Sequence, residues 1–162
     1  MKVYVLLMVV AGALTVLLTP LVRWACLRWG IVPKLRSRAI QSTPIPRLGG
    51  IAITIALVIT MLISARIPYM APLFETNAAW AVVVGALAMC ILGVVDDVVE
   101  LDWLTKLSGQ ILIAGSMAFN GVQLVSFPIF GVTIGSSRLS LMLTVFLIVG
   151  IMNAVNFVDG LD

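Results

Sequence analysis

Long uncharged stretches set the rhythm of this chain. Residues 3–22, 48–65, 76–95 and 139–158 contain no Asp, Glu, Lys or Arg, and Leu, Val, Ile, Ala and Met dominate them. A helix rises about 1.5 Å per residue, so about 20 residues cross the roughly 30 Å hydrocarbon core of a bilayer. Four transmembrane helices are predicted at these positions. A fifth is predicted at 104–119, where Leu107 to Phe119 is apolar although Ser108 and Gln110 interrupt it. Asn120-Gly121 then breaks the helix. Val122 to Ile134 contains Phe127-Pro128-Ile129-Phe130-Gly131 and partial alternation. A short hairpin or interfacial loop fits there better than another helix. The expected fold is an all-α integral membrane protein of about five transmembrane helices, read as a single transmembrane domain over 1–162.

Composition excludes a soluble reading. Apolar residues make up 62% of the chain, charged residues 10%, and the mean hydropathy is +1.19. Soluble domains hold about 45–50% apolar and about 25% charged residues. The apolar run at the N-terminus is too long for a cleaved signal and no small-residue cleavage site follows it, so it reads as a retained span. The two cysteines, Cys26 and Cys90, have no metal-ligand spacing and read as small packing residues. There is no histidine, which removes His general bases, haem ligation and most zinc sites. A net charge of +3 gives no reason to expect a nucleic-acid partner.

Charge also orients the chain. Residues 23–47 carry Arg23, Arg28, Lys34, Arg36, Arg38 and Arg47 with no acid. The positive-inside rule places this loop in the cytoplasm and the N-terminus outside. Alternation then puts the loop near residue 70 outside, 96–106 inside, 121–138 outside, and the end of the fifth span inside.

Most acids fall at these inner edges. Asp96 and Asp97 end the third span, and Glu100 and Asp102 follow closely. Carboxylates at a helix C-terminus oppose the helix dipole by about 0.3–1 kcal/mol each, and adjacent acids repel. Such a pair calls for a metal ion, a lysine or another cation, unless it is only a solvated loop start. Asp102 is a candidate N-cap for the fourth helix, and Glu100 reads as a loop charge. Lys106 lies where a phosphate would meet an ammonium and a helix N-terminus together, although a snorkelling interfacial lysine would sit there too.

The fifth span stays apolar until Asn153, Asn156, Asp159 and Asp162. Residues three apart on a helix differ by about 60° in direction, so Asn153, Asn156 and Asp159 share one arc. Polar groups there are costly unless hydrogen-bonded or lining a polar cavity. Interhelical hydrogen bonding would account for one asparagine, but poorly for two with two acids. Carboxylates, carboxamides and one lysine at the inner boundary suit magnesium and a diphosphate substrate.

Four strings carry a resemblance. They are Ser42-Thr43-Pro44-Ile45-Pro46-Arg47-Leu48-Gly49-Gly50, Gly93-Val94-Val95-Asp96-Asp97, Lys106-Leu107-Ser108-Gly109-Gln110, and Asn153-Ala154-Val155-Asn156-Phe157-Val158-Asp159-Gly160-Leu161-Asp162. At these strings, in order, spacing and expected sidedness, the chain resembles the polyprenyl-phosphate N-acetylhexosamine-1-phosphate transferases. The last string is highly specific, whereas a lone Asp-Asp would be weak.

The resemblance implies a multi-pass protein of the plasma membrane that moves a sugar-1-phosphate from a UDP-sugar to a polyprenyl phosphate, using Mg2+. It implies that Asp96, Asp97 and Asp159 are catalytic. Lys106, Asn153, Asp162 and Arg47 would bind substrate, and Asn156 and Asp97 would contact the metal. The string around Pro46-Arg47 looks more like the N-acetylglucosamine branch than the muramoyl-pentapeptide branch, which stays as the alternative. The attack can proceed through an aspartyl intermediate or directly from the lipid phosphate. The resemblance leaves room for a homodimer.

Members of this family have about ten or eleven spans, so the chain reads as an N-terminal half, expected to be inactive alone. Two other classes remain. An ion-coupled transporter would place its acids near the midplane, not at the membrane edge. A non-catalytic scaffold would leave the polar end of the fifth span without a purpose.

Overall fold

A computed structural model describes residues 2–28, 49–124, 126–127, 132–133 and 136–159. The regular structure of the described chain is helical, apart from one short antiparallel pair. The helices are α1 (Lys2–Arg28), α2 (Gly49–Ala65), α3 (Asn77–Val99), α4 (Trp103–Phe119) and α5 (Ser137–Asp159), with a 3-10 turn at Ala71–Phe74. Between α4 and α5, β1 (Ser126–Phe127) pairs with β2 (Val132–Thr133), Ser126 opposite Thr133. This antiparallel pair falls within the segment expected to form a short hairpin or interfacial loop.

Helices α1, α3 and α5 are long and apolar enough to cross a membrane, and α2 is a shorter apolar helix. Two helices run a full turn or more past the apolar stretches that define them. Helix α1 continues past Arg23 to Arg28, and α3 continues past Asp96 and Asp97 to Val99. An uncharged run marks the width of the hydrocarbon, whereas a helix persists into the interface as long as its backbone bonds close. At 27 residues, α1 would rise about 40 Å, more than the core thickness. Its extra turn holds Trp24 with the Arg28 guanidinium 5.2 Å from its ring, a cation–π pair suited to the headgroup zone.

The chain divides into two compact units, residues 1–73 with 90–101, and residues 74–89 with 102–162. In the first unit α1 packs on α2. The buried residues of α2 are Ala52, Ala56, Thr60 and Ser64, one every fourth position. Small side chains at this spacing let two backbones approach closely, which is how helices associate where lipid is as apolar as leucine. The hydroxyls on the seam bond to their own helix, Thr60 to the Ala56 carbonyl at 2.8 Å and Ser64 to the Met61 carbonyl at 2.8 Å. The free thiol of Cys26 is buried on α1.

In the second unit α4 packs on α5. Gln110, Ala114 and Ala118 form the buried row of α4, and Ser140 and Thr144 are buried on α5. The chain leaving α4 is clipped to the start of α5. The Leu124 N–H donates to Thr144 Oγ1 at 2.8 Å, and Ser140 Oγ donates to the Leu124 carbonyl at 2.6 Å. Gly121 makes the turn possible with φ +97°, a left-handed conformation that costs glycine little. Asn120 closes α4 just before it, as the Asn-Gly pair suggests. From α3, Gly85 leaves room for the Met117 thioether of α4, since a Cβ there would overlap its sulfur.

The Ala56 seam gives a direct test. Ala56→Leu should lower the stability of the α1–α2 pair by about 2 kcal/mol through overpacking. Thermal unmasking of the buried Cys26 thiol in a Cys90→Ser background should then move to lower temperature. An unshifted transition would show that α2 meets α1 through another face.

Candidate functional site

The described site residues that the sequence singled out fall on three helices, α3, α4 and α5. Asp96 and Asp97 occupy the last turn of α3, in the first unit. Asp96 is half-buried and Asp97 exposed. The helix stops at Glu100, whose N–H still bonds to the Asp96 carbonyl at 2.9 Å while its own φ is +54°. A left-handed residue at this position ends a helix and is usually glycine. Glu100 is thus the residue that turns the chain out of α3 as well as an exposed loop charge.

Asp102 caps α4. It accepts from the Thr105 backbone N–H at 3.4 Å and from the Thr105 hydroxyl. The Thr105 hydroxyl bond, against a smaller desolvation effect and with help from backbone N–H groups of Thr105 and Leu104, holds the Asp102 carboxyl below its ordinary value. Helix α4 therefore owes its entry geometry to a carboxylate that serves the fold.

Within the second unit the α4–α5 pair brings polar groups together. Asn153 Nδ2 donates to Gln110 Oε1 across the helices at 2.7 Å and to the Val149 carbonyl of its own helix at 2.8 Å. Gln110 pairs with Asn153, while Leu124 is held by Ser140 and Thr144, so α4 and α5 run antiparallel. This order carries Lys106 and Asn156 to the same end of the pair. Lys106 is half-buried one turn before Gln110, and Asn156 is exposed. Helix α5 extends through Asp159, so Asn153, Asn156 and Asp159 do share one helix. The Asp159 side chain, together with Asp162 and Arg47, lies outside the described residues.

Sequence reasoning singled out Asn153 but gave no role to Gln110. The signals were a glutamine that interrupts an otherwise apolar stretch and its place at the end of the Lys106-Leu107-Ser108-Gly109-Gln110 string.

An apolar groove of about 660 Å³ follows the same two helices. Leu107, Ile111, Gly115, Met142 and Phe146 line it, and Asn153 is the polar residue at its edge. Among the described residues no three acidic, cysteine or histidine side chains gather as a metal site. The donors at the sequence-derived positions are nonetheless all oxygens from carboxylates and carboxamides, a set chemically suited to magnesium.

A polar pair beside an apolar groove, in a chain with membrane-length helices, marks a membrane-embedded protein. The family model of glycosyl transferase family 4 matches residues 79–162, which hold the acidic pair, Lys106 and the asparagine string. The chain belongs to this family. It is 39% identical over 158 residues to a decaprenyl-phosphate N-acetylglucosaminephosphotransferase of Mycolicibacterium smegmatis, covering 94% of this chain and 39% of that protein. A protein of the same description from Mycobacterium tuberculosis is 36% identical over the same shares. A probable undecaprenyl-phosphate N-acetylglucosaminyl 1-phosphate transferase of Bacillus subtilis is 31% identical, over 94% of this chain and 42% of its own length. The chain thus spans about two fifths of the length of these curated relatives. No solved structure matches it.

The Asp102 cap carries a pH signature. A carboxyl with a lowered folded pKa adds stability that is present above the unfolded pKa and lost as pH falls through the folded one. Asp102→Ala should therefore unfold at lower temperature than the parent at neutral pH, and the gap should close as the medium is acidified through the carboxylate range. A gap that persists in acid would assign the loss to something other than the ionised cap.

Proposed function

We propose that this chain takes part in transferring N-acetylglucosamine-1-phosphate from UDP-N-acetylglucosamine to a polyprenyl phosphate. In the overall reaction a lipid phosphate oxygen bonds to the sugar-bearing phosphorus. The bond from that phosphorus to the bridging oxygen breaks, and UMP leaves with the electron pair. The observation that carries the reading is the apolar groove along α4 and α5 with Asn153 at its edge and Lys106 nearby on α4. An apolar wall for a prenyl tail beside groups for a phosphate head is what such a substrate asks of a protein. The names of the similar proteins, each citing a polyprenyl phosphate and N-acetylglucosamine, support the same substrate pair.

Roles follow the chemistry of each side chain. Asp96 and Asp97 are proposed to bind or deprotonate the lipid phosphate, with Asp159 a further catalytic carboxylate. Lys106 is proposed to hold a phosphate, and Asn153, Asp162 and Arg47 to contact substrate. Mg2+ is the proposed cofactor, with Asp97 and Asn156 as oxygen donors. When bound it would offset the charge of the diphosphate. The proposed orientation has the N-terminus outside and the motif-bearing helix ends in the cytoplasm of a plasma-membrane protein.

The test uses membranes carrying the complete reading frame, supplied with labelled UDP-N-acetylglucosamine, polyprenyl phosphate and magnesium. Label should enter lipid, EDTA should abolish transfer, and Asp97→Asn should lower it about a hundredfold or more. No transfer from this donor, but transfer from a UDP-muramoyl-pentapeptide, would move the protein to the other branch.

A further inference from the structure

Gln110 is the most buried polar side chain among the described residues, 2% exposed, and it is the first residue of the buried row by which α4 meets α5. Its one cross-helix partner is Asn153, and the geometry of that pair dictates which atom Asn153 has left to offer.

The Asn153 carboxamide atom that faces the Val149 carbonyl lies 2.8 Å from it. A backbone carbonyl only accepts hydrogen bonds, so this atom is the amide nitrogen and the flip of the group is decided by chemistry. The same nitrogen lies 2.7 Å from Gln110. Its two hydrogens are therefore committed, one to Val149 and one to Gln110. Gln110 must in turn present its oxygen. What remains of the Asn153 carboxamide is Oδ1, an acceptor, on a residue that is exposed and lies at the edge of the groove.

We propose that Gln110 is a positioning residue: by binding the Asn153 amide, it fixes Asn153 so that the site receives an oxygen lone pair and no N–H. The occupant of that position is then an O–H or N–H group of the nucleotide sugar, or a cation beside it, and not a bare phosphate oxygen. Phosphate falls to Lys106, one turn earlier on α4. The proposal rests on the reading of Asn153 as a substrate-site residue given above. It deepens that reading by naming what Asn153 can and cannot recognise.

An interhelical glutamine can also act only as glue between helices, and the experiment separates the two roles. In the complete protein, Gln110→Glu keeps an acceptor for the Asn153 amide, and Gln110→Met keeps length without one. Loss of an orienting partner typically costs at least about tenfold in activity. Gln110→Met should therefore transfer about tenfold more slowly, and Gln110→Glu should stay within about twofold of the parent. Asn153→Ala should be impaired, and adding Gln110→Met to it should cause no further loss, because the two residues act as a unit. Losses that multiply, a fully active Gln110→Met, or a Gln110→Glu as poor as Gln110→Met would overturn the proposal.

A second readout needs no turnover. In nanodiscs with 15N-asparagine, the Asn153 side-chain resonance is assigned by its disappearance in Asn153→Ala. Its amide hydrogens should exchange at least about tenfold faster in Gln110→Met, since one loses its partner. Unchanged exchange would defeat the positioning role whatever the transfer rates. Absence of transfer by the unsubstituted protein would instead defeat the choice of donor, and the resonance would still decide the role of Gln110.

Discussion

A polar group inside a bilayer has no water to turn to, and this constraint governs every buried polar contact in the chain. Each must find a partner within the protein or cost several kcal/mol. Most of the buried hydroxyls take the nearest solution, a carbonyl on their own helix about one turn back. Thr15, Thr60 and Thr144 donate to the carbonyls of Ala11, Ala56 and Ser140. Among the described residues no buried side-chain nitrogen or oxygen is left without a partner. Hydroxyls satisfied in this way are nearly apolar to a neighbouring helix. That is how Thr60 and Ser64 can share a seam with Ala52 and Ala56.

The polar contacts that cross between segments are fewer, and they carry more information. Ser140 and Thr144 clasp the backbone of Leu124, which fixes how the chain re-enters at α5. Gln110 and Asn153 fix the register farther along the same helices. Between these two points the α4–α5 groove is apolar. The same pair of contacts that locks the helices antiparallel also determines that Lys106 and Asn156 share an end. Packing and proposed chemistry here rest on the same hydrogen bonds, so the α4–α5 pair cannot drift by a turn without unmaking both.

Uncharged runs located the helices well because width in hydrocarbon is what they measure. They placed the helix ends less well, as α1 and α3 show by carrying Arg28 and Asp97 while still helical. Which face of each helix meets its neighbour was not legible. A helix apolar all round shows no hydrophobic stripe, and in α2 the buried face differs from outward Ile53 and Leu57 only in the small size of Ala52, Ala56, Thr60 and Ser64, a cue that hydrophobicity does not register. The site was legible as residue types at helix ends. Its partnerships were not, because the Gln110–Asn153 bond joins positions 43 apart, and no local rule reaches that far.

The acids themselves divide by what helix stability can explain. Asp102 stands at a helix N-terminus, where a carboxylate is favoured by the dipole and by the N–H groups and hydroxyl it receives. The fold accounts for it completely. Asp96 and Asp97 stand at the opposite kind of end, in the last turn of α3. There each carboxylate opposes the dipole, and α3 further ends on a left-handed glutamate where glycine would be easier. A sequence shaped for helix stability alone would place these residues differently. Local rules are broken in proteins chiefly where function demands it. Asp96 and Asp97, set against the dipole of their own helix, are among the acids to which the proposed reaction gives work.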